Sequence, residues 1–364
     1  MSLRILVSGM LAGVPHQGGA SWAVLQYVLG LRRLGHRVTF VEPVAALRQP
    51  STAYFERVVA GFGLRAALLD TLTGETVGVP RRALADADVL LNLSGLLADE
   101  ELMERIPVRA FVDLDPGFTQ LWSAVEGVEL GFARHNRFVT IGSAIGSDGC
   151  AVPTCGLEWI TTPQPIALDH WPVAERLLHD AATTVGHWRS YGSIEAAGVR
   201  YGQKAHAMRE LLDVPALASV RVSPALSIHP GERADLDALR RHGWRLLDPR
   251  AVASDPWDYR SFVQGSWAEL GVAKSGYVAA ACGWFSDRSV CYLASGRPVV
   301  AQDTGFGAVV PAGEGVLAFR TADEAAAGLE AVRSDYERHR RAARTIAEEV
   351  FDSGRVLTRL LACL

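Results

Sequence analysis

Apolar and polar positions along the chain alternate between two rhythms. Residues 4–10 (RILVSGM) form a short apolar run ending near glycine, the pattern of a buried strand. After a turn over 11–19, residues 20–34 place Trp22, Leu25, Leu29 and Leu31 at helical spacings, and Gly35 supplies a C-cap. Residues 37–42 (RVTFVE) read as a second strand. Strand, turn, helix and strand within about 40 residues make a βαβ unit, which implies a parallel sheet. Further strands are expected at 88–93, 109–114 and 137–141.

The pattern restarts after Pro163, Pro165 and Pro172, which mark a linker. Strands are expected at 182–187, 220–228, 244–247, 271–275, 297–302 and 315–319. Helices are expected at 204–212, 235–242, 261–269, 287–295 and 322–332. The chain thus divides into two α/β domains, 1–170 and 171–345, each a doubly wound, Rossmann-like parallel sheet. A tail, 346–364, carries Val356, Leu357, Leu360, Leu361 and Leu364 on one helix face, with Asp352 or Ser353 as N-cap. Such a helix packs back toward the first domain. The halves match in architecture and not in residues.

Length supports this division, because 364 residues exceed what one core fills. Hydrophobic residues at 49% and charged residues at 21% exclude a disordered chain. A formal net charge of −4 excludes a general nucleic-acid binder. No apolar run reaches about 18 residues, so no membrane-spanning segment is expected, and the apolar N-terminus reads as a core strand. The five cysteines (Cys150, Cys155, Cys282, Cys291 and Cys363) are odd in number and lack C-x-x-C spacing. They read as free thiols in a reducing cytoplasm.

Ligands of parallel α/β sheets bind beyond the carboxyl ends of the strands, so candidate chemistry is sought there. The first turn carries Gly13, Pro15, His16, Gln17, Gly18 and Gly19. Its glycines allow close backbone approach, and the helix start favours an anion. The spacing is not that of a dinucleotide fingerprint. His16 stands where a general base would, and Asp113, at the end of a later strand, would fix its tautomer. Asp115 follows in the same loop. The plainer readings are a surface-loop histidine and a turn before Pro116.

The densest segment runs from Lys274 to Gly307. Lys274 follows a strand. Ser286 N-caps a helix that opens Asp287, Arg288, Ser289, putting free amides beside a guanidinium in a phosphate-binding arrangement. Asp303, Thr304 and Gly305 follow another strand and suit sugar hydroxyls. The plainer reading is a helix cap, a solvated arginine and a glycine turn.

Two segments resemble a family. Gly18-Gly19, with the helix running to Leu34-Gly35-His36-Arg37-Val38, is similar to the opening of many GT-B glycosyltransferases. Tyr292-Leu293-Ala294-Ser295-Gly296-Arg297-Pro298-Val299-Val300, then Asp303-Thr304-Gly305, resembles their donor-domain signature E-A-x-A-x-G-x-P-V-V. Glu314-Gly315-Val316-Leu317 and Ala322-Asp323-Glu324 resemble its continuation. The resemblance implies two domains facing across a cleft. It also implies transfer of a sugar from a nucleotide diphosphate sugar, held by the C-terminal domain, to a small-molecule or glycan acceptor on the N-terminal one. No metal or other cofactor is implied, since amides and basic side chains stabilise the leaving diphosphate.

The chain departs from the family at known places. Gly283 and Cys291 stand where retaining members carry two glutamates. Arg200 and Lys204 resemble the Arg and Lys that such members present to the diphosphate. His16 with Asp113 resembles the pair of inverting members. Two other functions remain open: a sugar-nucleotide epimerase, and a non-catalytic sugar-nucleotide-binding protein. The sugar, base, acceptor, stereochemistry and oligomeric state are left open too. Trp22, Tyr54, Phe118 and Trp122 are either an aromatic acceptor wall or core.

Overall fold

The computed structural model describes residues 2–46 and 51–364. The first sheet is built from β1 (Arg4–Ser8), β2 (Arg37–Val44), β3 (Ala66–Asp70), β4 (Thr76–Gly78), β5 (Val89–Leu93), β6 (Val108–Asp113), β7 (Arg137–Thr140) and β8 (Trp159–Thr161). Its order is β4-β3-β2-β1-β5-β6-β7-β8, parallel throughout except for β4 on β3. The chain reverses direction across the sheet between β1 and β5, so the loop after β1 opens at a switch point. β5 is buried along its whole length, as expected when helices cover both faces.

The second sheet follows the same logic. β9 (His179–His187) leads through the hairpin β10 (Ile194–Ala196) and β11 (Val199–Tyr201) to β12 (Val222–Ser227), β13 (Ser266–Gly271), β14 (Val299–Gln302) and β15 (Val316–Phe319). The parallel order is β12-β9-β13-β14-β15. The strand expected at 244–247 is reduced to a single bridge between Leu247 and Ala225 on the outer edge of β12. Counting that bridge, the order is the doubly wound 3-2-1-4-5-6, with its switch point between β9 and β13.

One element differs in type. Residues 261–269 were expected as helix, with a strand at 271–275. The helix instead spans Pro256–Gly265, capped by Asp255, whose carboxylate accepts from the amides of Trp257 (3.0 Å) and Asp258 (2.8 Å). The chain then enters β13 directly. The misleading residue is Glu269, a charge that suits an exposed helix but lies fully buried in a central strand. An ion pair with Arg288, nineteen residues on, makes that burial tolerable.

The domains are not separate bodies. The Gly18–Arg33 helix packs against both the Pro256–Gly265 helix and the C-terminal Ser353–Cys363 helix. A Cβ on Gly30 would lie 2.6 Å from Ser353 Cβ and 2.7 Å from Leu357 Cδ1, so glycine is needed for that approach. Asp352 caps the last helix, accepting from Arg355 N (3.2 Å). Trp22 donates to the Pro256 carbonyl (2.7 Å) and packs edge-on against Trp171. One apolar cluster runs from β1 through these helices to Val290 and Val299 in the second domain.

Candidate active site

The carboxyl edges of the two sheets enclose a cleft of about 370 Å³. The first domain contributes Pro15 to Ala20, and the second contributes Val185 to His187, Ser227, Arg250, Asp287 and Arg288. The site therefore forms at the switch point β9/β13, faced by the loop after β1.

The second domain brings Arg288 to the cleft floor and places a second basic side chain, Lys204, behind the cleft residue Gly186. Arg288 sits in the first turn of the Asp287–Ala294 helix. Its Nε donates to the buried Glu269 carboxylate and Nη1 donates to the Val185 carbonyl (3.0 Å). Lys204 opens the Lys204–Glu210 helix and is 8% exposed; its ammonium donates to the Val272 carbonyl. Both side chains border Gly186: a Cβ there would meet Lys204 Cε at 3.4 Å and Arg288 Nη1 at 3.9 Å, ordinary van der Waals contact. Burial and then the neighbouring guanidinium hold Lys204 well below the usual lysine range. Burial pushes the Asp287 carboxyl above the usual range, against the pull of Arg288. Ser286 caps this helix, accepting from Arg288 N (3.2 Å), while Ser289 is buried in its body.

The first domain supplies a narrow wall. His16 is exposed at φ 65° and packs edge-on against Tyr54, at 5.6 Å between centroids. Gln17 Oε1 accepts from His187 Nε2 (3.1 Å) across the cleft. Gly18 N donates to the Ala253 carbonyl (2.9 Å), so one amide of the expected anion site is already used. A Cβ on Gly18 would fall 2.1 Å from the Asp255 carbonyl oxygen, and one on Gly19 would fall 3.0 Å from the Tyr259 ring. Gly18 is thus required by domain packing, and Gly19 fits tightly against the Tyr259 ring. Gly18→Ala is expected to destabilise the fold by about 1–3 kcal/mol, as overpacking against backbone does. Equilibrium denaturation checks this, and a wild-type midpoint would refute the packing role.

The expected His16–Asp113 pair is not formed. Asp113 is fully buried, and its carboxylate accepts from Thr119 Oγ1 (2.7 Å), Gln120 Nε2 (2.9 Å), Thr140 Oγ1 (2.7 Å) and Asp115 N (2.9 Å). Both oxygens are spent on tying the loop after β6 to β7. Asp115 meets Lys274 instead, at 2.9 and 3.0 Å, and also accepts from the hydroxyls of Tyr191 and Tyr277. The Lys274 ammonium lies 4.4 Å from the Tyr191 ring and 5.0 Å from those of Phe118 and Tyr277. Lys274 therefore clamps one domain to the other and is not among the cleft residues. Asp303 pairs with Arg320 (2.8 Å) and accepts from Gly305 N (2.9 Å), while Thr304 donates to the Trp284 carbonyl. These three form a turn beside the cleft residues rather than among them. Arg200, on β11, pairs with Glu195 and leaves Lys204 without its expected companion. Arg288 takes that place. Cys291, buried, accepts a long contact from Gln26 Nε2 (3.8 Å).

Sequence reasoning missed Glu269, His187 and Glu42. The buried glutamates carry no local signal, because each is paid for by groups far along the chain.

No protein-family model matches the sequence, and none of the curated proteins matches it. Solved structures do match over the full chain. An alpha-glucosyltransferase in complex with UDP-glucose and abasic-site DNA aligns with TM-score 0.64 at 11% identity, covering 100% of this chain and 99% of that one. HepE from Anabaena, in complex with UDP and glucose, aligns at 0.59 and 13%, covering both chains fully. A glycosyltransferase from Rickettsia africae aligns at 0.58 and 11%, covering 100% and 97%. The chain has the two-domain GT-B fold of these proteins. Among the described residues, no helix is long and apolar enough to cross a membrane.

Proposed function

We propose that this protein is a glycosyltransferase that moves a sugar from a nucleotide diphosphate sugar to an acceptor hydroxyl. One observation carries the reading. Arg288 lines the cleft at the switch point of the second sheet, opposite the first-domain wall, and Lys204 stands beside it behind the cleft residue Gly186. Two adjacent cations at a strand-end cleft suit a diphosphate. UDP or a UDP-sugar is bound by two of the structural neighbours, which supports the same donor class here. The DNA in one neighbour's complex is not carried over, because the net charge of −4 offers no field for a polyanion.

In this mechanism the second domain holds the donor. Lys204 and Arg288 take up the charge that grows on the leaving diphosphate, without a metal. His16, from the opposite wall, accepts the proton of the attacking hydroxyl. Attack from that wall, opposite the leaving group, inverts the anomeric carbon. The acceptor is a small molecule or glycan resting on the first-domain loops. The five unpaired cysteines support a reducing, cytoplasmic setting.

A thermal-shift screen with nucleoside diphosphates tests the reading. A ligand at 100 times its Kd should add about 2.7 kcal/mol of stability. No stabilisation by any of them would refute a donor site. Turnover of the nucleotide sugar without acceptor would instead support an epimerase. Binding without turnover of any acceptor would support a non-catalytic protein.

A further inference from the structure

His16 adopts a left-handed backbone conformation that side chains avoid, and such a residue persists only when its surroundings over-determine it. Asp113 does not supply that constraint. The constraint comes from β2. Ser8 of β1 pairs with Val41 of β2, so Glu42 lies one residue past the paired end, where the chain leaves β1 for the first loop. Glu42 is 1% exposed. Its Oε2 accepts from the amides of Leu11 (2.8 Å) and Ala12 (2.7 Å), and its Oε1 accepts from that of Gly13 (2.6 Å). Three successive amides on one carboxylate form an anion nest, the arrangement that elsewhere cradles a phosphate. Here the chain's own side chain fills it.

We propose that Glu42 is a positioning residue of the active site, gripping the first loop so that His16 and Gln17 are presented to the cleft. This rests on the glycosyltransferase reading above. The loop is held at two ends. Glu42 fixes residues 11–13, while the Gly18–Ala253 hydrogen bond and the Gln17–His187 contact fix the far end. Val14, Pro15 and His16 lie between them. Because the nest is filled from within, the donor diphosphate is left to Lys204 and Arg288.

The test uses the full chain, with Glu42→Ala, which empties the nest, and Glu42→Gln, which keeps its shape but turns an amide NH2 toward N–H donors. Hydrogen exchange at Leu11, Ala12 and Gly13 and the ring signals of His16 are read by NMR, and UDP affinity is read by calorimetry. Both variants should lose protection at those three amides by about tenfold or more while β5 and β13 stay protected. His16 should show the averaged signal of a mobile ring. UDP affinity should stay within about threefold. Turnover should fall about 10²-fold, as for a catalytic group displaced by about 1 Å. Added acetate should restore protection and turnover to Glu42→Ala and leave wild type unaffected.

Unchanged exchange and ring signals in Glu42→Gln would overturn the proposal. So would loss of protection across the whole first sheet, since that marks a general structural role. If wild type binds no UDP or other nucleoside diphosphate, the donor reading fails, while exchange and ring signals still decide whether Glu42 holds the loop.

Discussion

His16→Ala is expected to lower turnover by about 10²–10⁴-fold, the usual worth of a general base, while nucleoside diphosphate affinity stays near wild type. The argument is positional. His16 lines the cleft from the first domain, Arg288 lines it from the second, and Lys204 lies behind Gly186 of that second wall. An imidazole placed there can accept the proton of an attacking hydroxyl. Asp113 does not hold its ring, since that carboxylate is committed to Thr119, Gln120 and Thr140. Asp113→Asn should therefore loosen the loop after β6 without a matching rate loss specific to proton transfer. Steady-state rates and calorimetry on the same variant separate the two effects. Equal loss of affinity and rate would make His16 a donor-binding residue. A product with retained configuration would remove the base mechanism altogether.

The second large effect belongs to the cleft floor. Lys204→Met should weaken nucleoside diphosphate binding by about 1.5–3 kcal/mol, the range for a lost charge-assisted hydrogen bond. That corresponds to roughly 10- to 150-fold in Kd. Arg288→Ala should do the same, but it also strands the buried Glu269. Breaking a buried pair in that way costs about 3–5 kcal/mol of stability. The double variant Glu269→Leu/Arg288→Met removes the stranded charge and isolates the binding effect.

Lys204 also makes binding pH-dependent. In the free protein burial and Arg288 hold its proton affinity down, and a bound diphosphate must raise it. Between those two values, binding takes up a proton, so affinity falls as pH rises. Below the lower value the lysine is already charged, and affinity is flat with respect to this group. Calorimetry in buffers of different ionisation enthalpy reads the uptake directly. Proton release, or the same uptake in Lys204→Met, would remove Lys204 from the phosphate site.

The strands and helices were legible because their signals are local. A period of two or 3.6, closed by glycine, proline or a cap, survives whatever the rest of the chain does. Thus β1, β2, β5 and the Gly18–Arg33 and Asp287–Ala294 helices lie within a few residues of their expected places, and Ser286 caps as its position indicates. The parallel sheets followed from the alternation of strand and helix, whereas the strand order, and with it the switch points, came only with the structure. Lys204 was found only through its likeness to a family pair.

The partnerships were not legible, because they join residues far apart in the chain. Lys274 and Asp115 are 159 residues apart, and His187 and Gln17 are 170 apart. No window of sequence relates such residues; strand order and domain docking do. The same cause explains the two buried glutamates. Glu269 reads as a helix surface until Arg288 is placed beside it, and Glu42 reads as the polar end of a strand until three loop amides close on it. By itself the sequence determined where backbone hydrogen bonding would be regular and which faces would be apolar. Only the tertiary structure decided which charges meet, because a buried charge is stable solely where distant donors converge on it.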